Sequence, residues 1–222
     1  MHPLLPALRD GLHDLNLVLT EEQQMQLLAY VDLIAKWTKV YNLTAVRDAH
    51  EMLTHHLLDS LAVIAPLRRE VAKLMPSDVN RDGAVHCRLL DVGSGAGLPG
   101  VVIAIACPDV SVTCVDAVAK KAAFVQQVAA ALKLSNLNGL HARVESIRQS
   151  YDVICSRAFA SLLDFTSWSK SALAGHGVWM AMKGKLPDQE LAVLPEGVQV
   201  FHVEQLHVPA LDADRCIVWM RG

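Results

Sequence analysis

Residues 89–100 read LLDVGSGAGLPG. An apolar stretch runs into four glycines (Gly93, Gly95, Gly97 and Gly100), and the apolar run VVIAIAC follows at once. Glycine lets a chain turn tightly from strand into helix and lets a ligand approach the main chain. The stretch therefore predicts a strand, a loop of bare backbone and a helix. Few folds begin that way, and most are sheets of parallel strands with helices between them.

The rest of the chain keeps that rhythm. CRLLDV predicts a strand ahead of the glycines, and VSVTCVD a β-branched strand ending at Asp116. AKKAAFVQQVAAALKL predicts an amphipathic helix, LNGLHARV a weak strand and YDVICS a further strand. SLLDFTSWSKSAL then reads as a helix and GHGVWMAMKG as a strand. VQVFHVEQLHVP and DADRCIVWMRG close the chain as an antiparallel pair. The expected fold is α/β, a mostly parallel sheet with helices on both faces and that pair at its end. Residues 1–80 read as helical. Thr20 is the expected cap of a helix whose stripe is Leu27, Leu28, Val31, Ile34, Ala35 and Val40, and a second helix fits residues 49–66. Turn residues at 75–85 mark a boundary, so the expected organisation is a helical region at 1–80 and a sheet domain at 86–222.

Composition narrows the function classes. With 52% hydrophobic and 19% charged residues the chain has ample core material and no disorder signature. Net charge is −3, so binding of a nucleic acid must rest on a local basic patch. The first residues do not read as a signal peptide, and the longest clean apolar run is far short of a membrane span. A soluble, cytoplasmic monomer is the expectation. Five cysteines without C-x-x-C spacing read as buried reduced thiols. His55 and His56 are adjacent and on a helix point about 100° apart, so no metal site is expected.

The loop carries two overlapping patterns: GAGLPG matches the dinucleotide fingerprint, and DVGSGAG is an acid followed by alternating glycines. Three features separate the ligands. Leu98-Pro99 stands where a triphosphate-binding loop needs Lys-Ser/Thr. Asp91 would repel a pyrophosphate but attract an ammonium group. Asp116 ends the second strand, where a carboxylate can accept both ribose hydroxyls of an adenosine. An adenosine with a cationic amino-acid tail, S-adenosylmethionine, satisfies all three, with Asp91, Gly93, Gly95, Gly97 and Asp116 as its candidate cradle.

Ligands of open α/β sheets bind beyond the carboxyl ends of the strands. Lys120 and Lys121 follow the second strand, Arg143 the third, Arg157 the fourth, and Lys183 and Lys185 the fifth. Together these cations can cradle the phosphates of RNA or DNA. Asn42, Arg47 and His56 are candidates for a facing wall. For the acceptor, the D/N-P-P-F/Y motif of exocyclic-amine methylation is absent after the fourth strand, which continues CSRAFA. The one Cys-Pro pair, Cys107-Pro108, ends the wrong helix for a thiolate nucleophile. A ring nitrogen such as guanine N7 needs neither device. Catalysis would then be alignment, which can supply roughly 7–11 kcal/mol. No general base is evident, and Arg157 is the nearest candidate for a catalytic side chain.

YNLTAVRD, HHLLDSLAV, LLDVGSGAGLPGV, ARVES, SRAFASL, MKGK and VPALDADR follow one another in the order of the RsmG (GidB) family, which the chain resembles from about residue 20 onward. The resemblance implies a Rossmann-like S-adenosylmethionine-dependent methyltransferase fold. It also implies methylation of guanine N7 in the 530 loop of 16S ribosomal RNA, with that RNA or the small ribosomal subunit as partner. It implies that Gly93, Leu98, Val144, Glu145 and Arg157 contribute to the cofactor site. Two other readings of the residues stay open: a non-catalytic RNA-binding or assembly module, and an NAD-dependent oxidoreductase.

Overall fold

The computed structural model describes residues 2–74 and 87–222. The expected boundary at 75–85 lies outside the described residues. The helical region comprises α1 (Leu5–Asp14), α2 (Glu21–Tyr41), α3 (Ala49–Met52), a π-helical segment (Leu53–Leu58), α4 (Asp59–Leu61) and α5 (Ile64–Leu74). Helix α2 starts at a capping box: the Gln23 amide N–H donates to Thr20 Oγ1 at 3.2 Å, and the Thr20 N–H donates to Gln23 Oε1 at 2.9 Å. It ends at Asn42, whose φ of 51° is a left-handed stop. Leu27, Leu28, Val31 and Ile34 are buried as the periodicity requires, but Val40 is exposed. The single helix expected over 49–66 is interrupted. Its middle widens into π geometry, a turn follows at 62–63, and α5 then continues past Pro66 to Leu74. Proline is tolerated there because it falls in the first turn of α5, where no intrahelical N–H is needed.

The sheet is built from β1 (Cys87–Val92), β2 (Val110–Asp116), β3 (Leu137–His141), β4 (Tyr151–Arg157), β5 (Leu173–Lys183), β6 (Gln199–Gln205) and β7 (Cys216–Arg221). Between them lie α6 (Gly100–Ala106), α7 (Ala119–Ala131), α8 (Leu162–Ser169) and α9 (Asp188–Leu191). The seven strands run in the order β3-β2-β1-β4-β5-β7-β6. Strands β1 to β5 are mutually parallel, and β7 is inserted antiparallel between β5 and β6. The expected parallel sheet with an antiparallel C-terminal pair is what forms. Strand β3 is shorter than the sequence suggests: its register with β2 ends at Asp116 opposite His141, so residues 142–145 leave the sheet and Val144 to Ser146 close into a 3-10 turn.

Alternate side chains of each strand face opposite sides. One face, with Leu89, Val112, Val153 and Trp219, joins α6, α7 and the helical region in one apolar cluster that includes Leu27, Ile34, Val101 and Phe124. The other, with Leu90, Ile154, Trp179 and Met220, is covered by α8 and the two 3-10 turns. The strand order reverses between β1 and β4, and a crevice opens there at the carboxyl ends of the strands. The helical region shares its core with the sheet, which fixes α2 and the π segment beside that crevice. Among the described residues, no helix is long and apolar enough to cross a membrane.

Candidate active site

Two cavities, of about 580 Å³ and 400 Å³, meet at Gly93, the first glycine of the loop after β1. The loop turns through three left-handed glycines, with φ of 65° at Gly93, 59° at Gly95 and 86° at Gly97. A β-carbon at Gly93 would overlap the Phe159 ring, whereas one at Gly95 would meet no other side chain. Gly95 therefore keeps open the larger cavity it lines. Gly97 has a different role from the one the sequence suggests. It lines neither cavity and packs against Val101, Val125 and the Tyr30 hydroxyl. Tyr30, from α2, donates to the Ala96 carbonyl at 2.5 Å. Its burial raises the phenol well above its usual range, so the group stays a donor. The helical region thus holds the glycine loop directly, a contact the sequence reading missed. A tyrosine within an apolar helical stripe was the available signal, because a buried hydroxyl needs a partner.

The smaller cavity is lined by Gly93, Asp116, Val144 and Glu145, four of the predicted cofactor residues, together with Arg143, Phe159 and Trp168. Asp116 ends β2 and is nearly buried. Its Oδ2 accepts the Gly95 N–H at 3.0 Å and its Oδ1 accepts the Val118 N–H at 2.9 Å. The carboxylate is thus fixed in place, and it also shapes the loop. Ala158, at φ 50°, turns the chain after β4 so that Phe159 lies over Gly93, edge-on to Trp168 with ring centroids 5.9 Å apart. Asp91 was expected to face a ligand's ammonium group. The structure places it a layer lower, fully buried and lining neither cavity. Its Oδ2 accepts the Gly100 N–H at 2.9 Å, fastening the start of α6. Burial pushes its carboxyl up to about 7, against the Gly100 hydrogen bond, which acts the other way.

The larger cavity is faced by Gly95, Leu98 and Lys121 on one side and by Thr44, His56 and Asp59 from the helical region on the other, with Arg157, Lys183 and Arg215 between them. The π-helical segment carries His56, and Asp59 follows it directly. His56 is 6% exposed. Its Nε2 lies 3.0 Å from Thr44 Oγ1. Burial, followed by the nearby Arg157 charge, lowers its pKa to about 4, so the ring is neutral at pH 7. Asp59 is buried between two arginines. Arg157 donates to Oδ2 at 2.7 Å, and Arg215 donates to Oδ1 at 2.8 Å. Arg157 also donates to the His55 carbonyl at 2.8 Å. Asp59 and Arg215 were absent from the sequence reading. An acid inside the apolar run HHLLDSLAV was the clue.

The basic residues are not equally available. Arg157 is held by Asp59, and Lys183 Nζ donates to both Glu190 oxygens, at 2.8 and 3.0 Å, and to the Ala160 carbonyl at 3.0 Å. Lys121 lies 3.7 Å from Asp116. Lys120, Arg143 and Lys185 make no ion pair among the described residues. Lys185 stands farther out, in a surface groove shared with Arg215. Arg47 is spent on its own turn: it donates to Asn42 Oδ1 at 2.7 Å and to the Thr38 carbonyl at 3.2 Å, and it lines neither of the two cavities. Asn42 is likewise outside both. The five cysteines are free and buried, and burial lifts the Cys107 thiol, which disfavours its thiolate form.

A glycine loop at the β1/β4 reversal, an acid at the end of β2 and this strand order define a Rossmann-like methyltransferase fold. Solved structures agree on the fold. TrmN from Thermus thermophilus superposes with a TM-score of 0.52 at 16% identity over 76% of this chain and 53% of that one. A SAM-dependent methyltransferase from Aquifex aeolicus gives 0.51 at 16% identity over 73% and 92%. The family described as rRNA small subunit methyltransferase G (GidB) matches residues 23–218, and the chain belongs to it. Relatives bearing the name ribosomal RNA small subunit methyltransferase G are 70% identical in Polaromonas sp. strain JS666, over 96% of this chain and 92% of the relative. In Albidiferax ferrireducens the identity is 66%, over 100% and 98%. The chain is therefore a methyltransferase, and the readings as an NAD-dependent oxidoreductase or a non-catalytic module fall away.

Proposed function

We propose that this enzyme transfers a methyl group from S-adenosylmethionine to N7 of a guanine in the 530 loop of 16S ribosomal RNA, acting in the cytoplasm on that RNA or the small subunit. The observation that carries the reading is the meeting of two unlike cavities at Gly93, one beside Asp116, Val144 and Glu145, the other walled by Arg157, Lys183 and Arg215. The smaller cavity fits a nucleoside: it offers an anchored carboxylate, an apolar Val144 wall and two aromatic rings. At the glycine loop, the residues of the turn from Gly93 to Ala96 line the larger cavity, so its backbone is what a polar ligand tail would meet there. When bound, the cofactor would supply an electrophilic methyl group.

The protein's own residues then have to align the acceptor. A ring nitrogen with an in-plane lone pair gives up no proton on methylation, so no general base is required. His56 fits that account, since a neutral ring hydrogen-bonded to Thr44 can orient a neighbour without proton transfer. Arg157 and Arg215, both fixed on Asp59, hold the wall of the larger cavity in place, where it can shape the seat of the acceptor base. Transfer of labelled methyl to small-subunit RNA, followed by nucleoside mapping, tests the proposal. It should give 7-methylguanosine at one position of the 530 loop. Label on another atom or another loop would refute the acceptor. Calorimetry with S-adenosylhomocysteine tests the cofactor separately, and absence of binding would refute it.

A further inference from the structure

Helix α2 does not finish as a core helix should. Its last residues, Val40 and Tyr41, are 69% and 47% exposed. Beside them is a separate cavity of about 230 Å³, lined by Trp37, Tyr41, Asn42, Leu43, Lys120 and Lys121. That is the volume of roughly eight waters at about 30 Å³ each, room for a planar ring and too little for a duplex. Trp37 is braced from below by Phe124, ring centroids 5.1 Å apart and edge-on. Tyr41 leans on Trp37 at 5.0 Å, tilted by 42°. The inner ring packs between Phe124 and Tyr41, and the outer ring reaches solvent. Lys120 and Lys121, from the start of α7, line the same cavity, and Lys120 forms no ion pair among the described residues. Leu43 and Lys121 also line the larger active-site cavity, so the two spaces are neighbours.

Aromatic faces supply stacking for a base of any sequence, and lysines supply charge for the phosphate beside it. We infer that this aromatic–lysine cavity is a second nucleotide site, receiving the base of a single-stranded RNA residue that flanks the methylated guanine, with Lys120 on its phosphate. The inference rests on the proposed RNA substrate and adds where the strand runs: out of the active site past Lys121 toward the end of α2. Placing an unpaired neighbour there would fix the register of the strand, and so which base reaches the larger cavity.

The test uses the full chain with Tyr41→Ala, Tyr41→Phe and Lys120→Ala, each checked for an unchanged thermal melt. Affinity for a small-subunit RNA fragment containing the 530 loop is measured by filter binding, and affinity for S-adenosylhomocysteine by calorimetry. Tyr41→Ala should weaken RNA binding on the order of tenfold, in the range for loss of one stacked base. Tyr41→Phe should restore it, because stacking needs the ring and not the hydroxyl. Lys120→Ala should weaken RNA binding at low salt and much less at high salt. Cofactor-product affinity should not move in any of them. RNA binding by Tyr41→Ala equal to that of the wild type would overturn the inference, as would failure of Tyr41→Phe to rescue. If the wild type methylates RNA while Tyr41→Ala binds it normally, only this site fails. If the wild type neither binds nor methylates RNA, the proposed substrate fails and this site with it.

Discussion

His56 is held neutral by its surroundings, and that has a consequence for stability. Its pKa is lowered to about 4 in the folded protein, by burial and then by Arg157, against about 6.5 in an unfolded chain. A depressed folded value means that the stabilisation is complete above pH 6.5 and is lost as pH falls through 4, because the unfolded chain takes up the proton first. Asp91 acts in the opposite sense. Its carboxyl is raised to about 7 by burial, so its contribution is complete below about pH 4 and is lost as pH rises through 7. A comparison of the wild type with His56→Gln cancels Asp91 and isolates the imidazole. Between pH 7 and pH 4 the wild type should lose about 3 kcal/mol more unfolding free energy than His56→Gln, as read by urea denaturation at each pH. Parallel pH profiles would show that His56 is solvated in the native state.

At the scale of elements, Asp59 clasps three parts of the chain. It sits at the start of α4, and it holds Arg157 at the end of β4 and Arg215 just ahead of β7. Removing one partner of a buried pair leaves the others uncompensated. Asp59→Ala should lower the unfolding free energy by about 3 kcal/mol, the low end for such a loss because both guanidiniums keep some access to water. It should also slow methyl transfer, and Arg157→Ala should lower stability less than Asp59→Ala does, since Arg157→Ala leaves Asp59 with Arg215. Denaturant melts paired with initial rates check both statements. A melt for Asp59→Ala that matches the wild type would show that the clasp does not form in solution. This cluster also shows why part of the site was illegible in the sequence. The strand, glycine loop and helix at 89–106 are written in local patterns: apolar alternation, glycine at left-handed positions and a helical run. Asp116 was placed by the same logic, as the last residue of a strand. The clasp joins residues 98 and 156 positions apart, and nothing local records that pairing. The same applies to Gly97 and Asp91, where the residue type was read correctly as special but the neighbour it serves belongs to another element: Tyr30 for Gly97, Cys114 and the start of α6 for Asp91.

For the whole molecule the question is how a chain of net charge −3 holds a polyanion. The sequence places six cations at the carboxyl edge of the sheet, and the structure divides them. Arg157 and Lys183 face carboxylates at hydrogen-bonding distance, and Lys121 lies near Asp116. These three shape the site more than they attract phosphate, because a cation already paired with a carboxylate neutralises little phosphate charge and so displaces few of the counterions condensed on the RNA. Lys120, Lys185 and Arg143 are uncommitted among the described residues and stand on the rim of the cavities and grooves. For single strands, each phosphate neutralised contributes about −0.7 to the slope of log affinity against log salt. Lys120→Ala and Lys185→Ala should each flatten that slope by about 0.7 and leave the thermal melt unchanged. Lys183→Ala should leave the slope nearly intact while lowering the melting temperature, since its ammonium holds Glu190 and the Ala160 carbonyl beside the start of α8. Filter binding of small-subunit RNA across a salt series reads the slopes. A full unit of flattening from Lys183→Ala, with none from Lys120→Ala, would mean that RNA displaces Glu190 on binding and that the uncommitted rim plays no part.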